Sequence, residues 1–143
     1  MQKITLLFLG IILSFSAFSQ NVGDTIVANN PAKLKVKVLY FHITDRCNTC
    51  MSIEKNVRKT VLENFKIQLD NGEVDLYIVN CELPANKTLS EKYNAYGSTF
   101  AITTYKDGKE LNTEDLSNWA FKKAPLQDVF VSELKDKLTK LLK

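Results

Sequence analysis

Val36-Lys37-Val38-Leu39-Tyr40-Phe41-His42-Ile43-Thr44-Asp45-Arg46-Cys47-Asn48-Thr49-Cys50 is the stretch on which the reading of this chain turns. Its first half carries a continuous apolar run from Val38 to Phe41, the pattern of a central strand covered on both faces, and predicts a strand over 37–43. Its second half sets two cysteines two residues apart, directly before a segment with helical patterning. Positions three apart on a first helical turn face one another. The unpaired N–H groups and dipole of a helix N-terminus favour a thiolate there, so this is an arrangement that thiol–disulfide chemistry requires.

Downstream, Ile53, Val57, Val61 and Phe65 recur every four residues, with Leu62 and Leu69 assigned to the same side and Glu54, Lys55, Arg58, Lys59 and Glu63 to the other. The spacing predicts an amphipathic helix over 49–65, closed by Asn71-Gly72. The β-branched and aromatic content of 74–79 predicts a second strand. A short helix follows over 86–96, opened by Pro84 and Asn86 and stopped by Gly97. Strands over 100–105 and 110–112 then flank Asp107-Gly108, a hairpin signature. Leu126, Val129, Phe130, Leu134, Leu138, Leu141 and Leu142 place a last helix on a lysine-rich segment that starts at Pro125. Upstream, 21–35 reads as an extended lead-in that leaves room for a short strand at Ile26-Val27. A βαβ unit, a hairpin and a closing helix make an α/β fold, a mixed central sheet with helices on both faces.

The chain has 143 residues, 45% of them apolar and 24% charged, which suits one globular domain. Lys3, the apolar run from Ile4 to Phe15 and Ala17-Phe18-Ser19 form the n-region, h-region and cleavage site of a signal peptide over 1–19, leaving a domain over 20–143. The apolar run falls short of the roughly 20 residues that span a bilayer, so no membrane span is expected after cleavage. The expected location is periplasmic or secreted, where disulfides form. A formal charge of +3, or +2 without Lys3, with both signs interspersed, argues against nucleic acid as a partner. The lysines of the last helix read as a solvated face.

Taken together, the order of elements and the motif resemble the thioredoxin-fold superfamily over nearly the whole of 20–143. Val38-Leu39-Tyr40-Phe41 before Cys47-Asn48-Thr49-Cys50 is similar to that family's first central strand and redox motif. Asn80-Cys81-Glu82, Glu91-Lys92-Tyr93, Tyr96-Gly97 and Lys106-Asp107-Gly108-Lys109 are similar to its later landmarks. Tyr40-Phe41-His42 ahead of Arg46-Cys47-x-Thr49-Cys50, and Leu116-Ser117-Asn118-Trp119-Ala120-Phe121 ahead of the last helix, resemble a group of small exported bacterial proteins called ArsF-like. Three departures from thioredoxin stand out. Arg46 and Asn48-Thr49 replace the family's Trp and Gly-Pro, Phe41 occupies the place of its buried acid, and Thr99-Phe100 that of its proline loop.

In this reading Cys47 is the attacking thiolate, Cys50 the resolving thiol, and Arg46 a cation that favours the Cys47 thiolate against the opposing Asp45. His42, the single histidine, is a candidate for moving the Cys50 proton or stabilising the thiolate, set against a purely structural strand histidine. The expected partners are protein or small-molecule thiols and disulfides, with room for a membrane-held electron donor, and no cofactor is expected. Cys81 reads as a small buried residue. The competing class is a soft-metal or metalloid carrier for copper, zinc or arsenic that uses Cys47, Cys50 and Cys81, with His42 as an optional further ligand. A non-catalytic interaction module with a structural disulfide is the third. Trp119 and Phe121 are assigned to the core rather than to a partner surface.

Overall fold

The computed structural model describes residues 24–143; the expected signal peptide lies outside the described residues. A five-stranded mixed sheet is built from β1 (Thr25–Val27), β2 (Val36–His42), β3 (Val74–Asn80), β4 (Thr99–Lys106) and β5 (Lys109–Asp115), in the order β1-β3-β2-β4-β5. β2 runs parallel to β3 and antiparallel to β4, while β1 and β5 complete the edges as antiparallel strands. The helices are α1 (Asn48–Asn64), α2 (Lys66–Asn71), α3 (Lys87–Lys92), α4 (Ser117–Lys123) and α5 (Gln127–Leu141). Among the described residues, no helix is long and apolar enough to cross a membrane.

The apolar run in β2 is explained by its central place. Val36, Val38 and Tyr40 point into a large core with Ile53, Val57 and Val61 of α1, Ala120 of α4, and Phe130, Leu134 and Leu138 of α5. The alternate residues Leu39 and Phe41 enter a smaller core with Val79 and Ala95, flanked by Leu89 and Tyr93. Among the described residues, helices therefore cover both faces, four on the first and α3 on the second. The long helices pack together through a polar pin as well as through apolar contact. Asn56 of α1 donates to the Ala124 carbonyl at 3.2 Å and accepts from Gln127 at 3.1 Å, which fixes α1 to the α4–α5 junction.

Several boundaries differ from the sequence reading. The helix after the cysteines stops at Asn64, and a separate short α2 carries Leu69 into the core; Leu62 stays exposed. Gly72 closes α2 at φ 83°, the left-handed conformation that suits glycine. The segment over 86–96 contains only six α-helical residues, preceded by a 3-10 turn at Pro84–Asn86. Ser117–Lys123 is a helix that the periodicity did not mark out.

Candidate functional site

β2 delivers the chain to the end of the sheet where α1 begins. Asn80 donates to the Thr44 hydroxyl at 2.9 Å, Glu82 accepts from the Thr44 backbone N–H at 2.8 Å, and the Cys81 N–H donates to the His42 carbonyl at 2.8 Å. These contacts tie the connection between β2 and α1 to the end of β3. The Thr44 hydrogen bonds hold the Glu82 carboxyl below its ordinary range.

Cys47 is the N-cap of α1, and its Sγ accepts from the Cys50 N–H at 3.1 Å. Cys47 and Cys50 form a disulfide across a Cα separation of 5.1 Å. The two sulfurs differ in access, because Cys47 is exposed and Cys50 is buried. A helix start that presents an N–H to the outer sulfur can stabilise a thiolate there.

Beneath the turn, the Tyr40 hydroxyl donates to the Cys50 carbonyl at 2.8 Å and lies 3.4 Å from the Ser98 hydroxyl. The segment leading into β4 therefore approaches the cysteine turn through Ser98. Burial pushes the Tyr40 phenol up, against the opposing influence of Ser98 and Arg46.

Arg46 does not extend into solvent beside Cys47. Its guanidinium is paired with Glu54, which also accepts from Arg58 Nε at 2.7 Å, and both Arg46 and Glu54 are largely buried. Burial alone would raise the Glu54 carboxyl, but the hydrogen bonds from Arg46 and Arg58 outweigh it and keep the group below its ordinary range. Arg46 Nε is buried without a hydrogen-bond partner. Glu54, assigned by periodicity to the outer side of the helix, is thus the carboxylate at the site, lying one turn beyond Cys50. The Glu54–Arg58 spacing of four was legible as an ion pair; the third member, Arg46, reaches it from outside the helix.

His42 ends β2 on the same face as Tyr40, with ring centroids 6.5 Å apart, and is buried. Its Nδ1 lies 2.9 Å from the Ile43 carbonyl. A carbonyl only accepts, so Nδ1 carries a hydrogen in this contact.

Cys81 is not brought to the other two cysteines. It follows β3 on the opposite face, packed against the smaller core of Leu39, Phe41, Val79 and Ala95, with its Sγ 4.0 Å from the Gly97 carbonyl. Burial pushes its thiol up, so it stays protonated at neutral pH. Among the described residues, no group of three or more His, Cys, Asp or Glu side chains is gathered as a metal site would need, which leaves the competing three-cysteine carrier without a gathered ligand set. The reason is parity along the sheet: the strand residues that reach α1 and those that reach α3 alternate, and Cys81 falls with the second set.

Trp119 sits against Phe130 at 4.5 Å between ring centroids and donates from Nε1 to Glu133 at 2.8 Å, a packed position at the margin of the large core. Phe121, by contrast, is exposed, contrary to its assignment to the core.

These residues define a redox-capable cysteine pair at a helix N-terminus on a mixed α/β sheet. No family model and no curated protein matches the chain. A solved structure described as that of a malarial protein is similar at 21% identity and a TM-score of 0.39, over 62% of this chain and 94% of that one.

Proposed function

We propose that this chain is a thioredoxin-like thiol–disulfide oxidoreductase, exported through the signal peptide read at 1–19 and acting on protein or small-molecule disulfides. The observation that carries the reading is the Cys47–Cys50 disulfide at the start of α1, with the outer sulfur accessible and the inner one buried. The strand order β1-β3-β2-β4-β5, with the cysteines between parallel β2 and β3 and a hairpin after them, supports the thioredoxin-like assignment.

In the reduced form the Cys47 thiolate attacks one sulfur of a substrate disulfide. The substrate S–S bond breaks, and the departing sulfur leaves as a thiolate that takes a proton from water. Cys50, once deprotonated, attacks the Cys47 sulfur of the mixed disulfide, breaking that bond and releasing the second substrate thiolate. Two electrons pass to the substrate and the Cys47–Cys50 disulfide remains, to be restored by an external thiol or a membrane-held donor. His42 supplies a candidate acceptor for the Cys50 proton through Nε2, since Nδ1 is occupied by the Ile43 carbonyl.

The test is reduction of a protein disulfide with dithiothreitol as donor. Wild type should turn over, Cys47→Ser should be inactive, and Cys50→Ser should accumulate a mixed disulfide. His42→Phe should slow the resolving step several-fold and leave alkylation of Cys47 unchanged. Absence of turnover by folded wild type, or equal alkylation of both reduced cysteines, would sink the reading.

A further inference from the structure

The Arg46–Glu54–Arg58 cluster belongs to neither apolar core, yet Arg46 and Glu54 are largely buried next to the cysteine turn. Its composition is unusual for a site that needs a thiolate. The residue immediately before the exposed cysteine is a cation, but a carboxylate on α1 claims that cation, and a second arginine shares the carboxylate. Tyr40 completes the floor by hydrogen bonding to the Cys50 carbonyl. One buried donor of the cluster, Arg46 Nε, has no acceptor in the disulfide form. Reduction creates a new anionic acceptor on the adjoining residue. A Cys47 thiolate, next in sequence to Arg46, would be a second anion drawing on a guanidinium that Glu54 already holds.

Building on the thiol–disulfide reading above, we propose that Glu54 is a positioning residue that sets the acidity of Cys47 by holding the charge of Arg46 under the turn. Glutamate four residues beyond Cys50 lies along the helix on the side where Arg46 arrives, and Arg58 keeps it there from the next turn. With Glu54 ionised, one of the two arginine charges is neutralised. With the isosteric amide the acceptor oxygen remains but the negative charge is gone, so the net positive field at the start of α1 rises. A thiolate at Cys47 is then favoured, and with it the reduced state.

The other charged and titratable groups tied to the turn are Asp45 within it, Tyr40 and His42 on β2, Arg58 on α1 and Glu82 after β3. None of these changes in the substitution Glu54→Gln, which makes the test specific. The reduced protein is alkylated with iodoacetamide across pH, and the thiol–disulfide equilibrium is measured against glutathione redox buffers. Glu54→Gln should lower the midpoint of Cys47 alkylation by about one pH unit and shift the equilibrium about tenfold toward the dithiol, or about 30 mV for a two-electron couple. Arg46→Gln should move both in the opposite direction, and the double variant should fall between them.

A structural role alone predicts lower thermal stability with an unmoved alkylation midpoint. An unchanged or raised midpoint in folded Glu54→Gln would overturn the proposal. Should that variant fail to fold, an unchanged midpoint in Arg46→Gln would overturn it equally. Failure of the oxidoreductase reading is distinguishable, because it appears in wild type as a Cys47–Cys50 pair that does not exchange with glutathione at all.

Discussion

Lys37 and Asp75 face each other across the parallel register of β2 and β3, on the side of the sheet away from α1. The Lys37 ammonium lies 4.8 Å from the Tyr77 ring centroid and 5.4 Å from that of Tyr105, while Asp75 accepts from the Asn29 N–H at 3.2 Å. Burial drives both groups toward neutrality, Asp75 upward and Lys37 downward, and each partner only partly offsets it. For Asp75 the sign follows from proton counting. Its folded carboxyl binds a proton more readily than the unfolded one, so stability present below the ordinary value of 3.8 is lost as pH rises from there through the raised folded value. Asp75→Asn keeps an oxygen for the Asn29 N–H and removes the titration. Urea unfolding of the two proteins should show the variant gaining on wild type between pH 3.5 and pH 6.5, whatever its stability at the lower pH. A difference that stays constant across that interval would mean that the carboxyl is as well solvated in the folded state as in the unfolded one.

Among the elements, α2 and its glycine stop show how much the short pieces matter. Gly72 has φ 83°, and a Cβ there would lie 3.1 Å from Asn29 Cβ, while the Asn29 side chain donates to the Leu69 carbonyl at the end of α2. Gly72→Ala therefore combines left-handed strain with a tight contact, and it should destabilise by roughly 1–2 kcal/mol in chemical denaturation. A loss below a few tenths would show that the loop from β1 yields freely. Asn71-Gly72 was legible as a helix stop, though the helix it closes is α2 rather than α1. β2 and β3 were legible from the apolar run of the one and the β-branched and aromatic content of the other. Ser117–Lys123 was not, because seven residues give too few repeats for a helical period to emerge. The site was half legible for a related reason. A CxxC before a helix declares itself in the sequence, but Glu54 looks like one of five charged residues on a solvent face until Arg46, eight positions earlier, is folded against it.

On the scale of the whole molecule, the question is whether the disulfide holds the fold or merely rides on it. The large core runs from Val36 through α1 to Leu138, and the smaller one joins β2 and β3 to Ala95; neither contains Cys47 or Cys50. The bond closes a loop of sequence separation 3, for which chain entropy predicts no more than about 2 kcal/mol. Part of that is returned on reduction, since the Cys50 N–H at the helix start remains available to a Cys47 thiolate. Reduced protein should thus unfold in one cooperative transition, with stability lower by roughly 1–2 kcal/mol and unchanged helical circular dichroism before the transition. Paired urea titrations with and without dithiothreitol measure this directly. A reduced chain that has lost its cooperative transition would make the bond a structural staple and remove the basis for turnover. A reduced chain that stays folded leaves the bond free to open and close on a scaffold that does not depend on it, the physical condition for a pair of cysteines to pass electrons repeatedly.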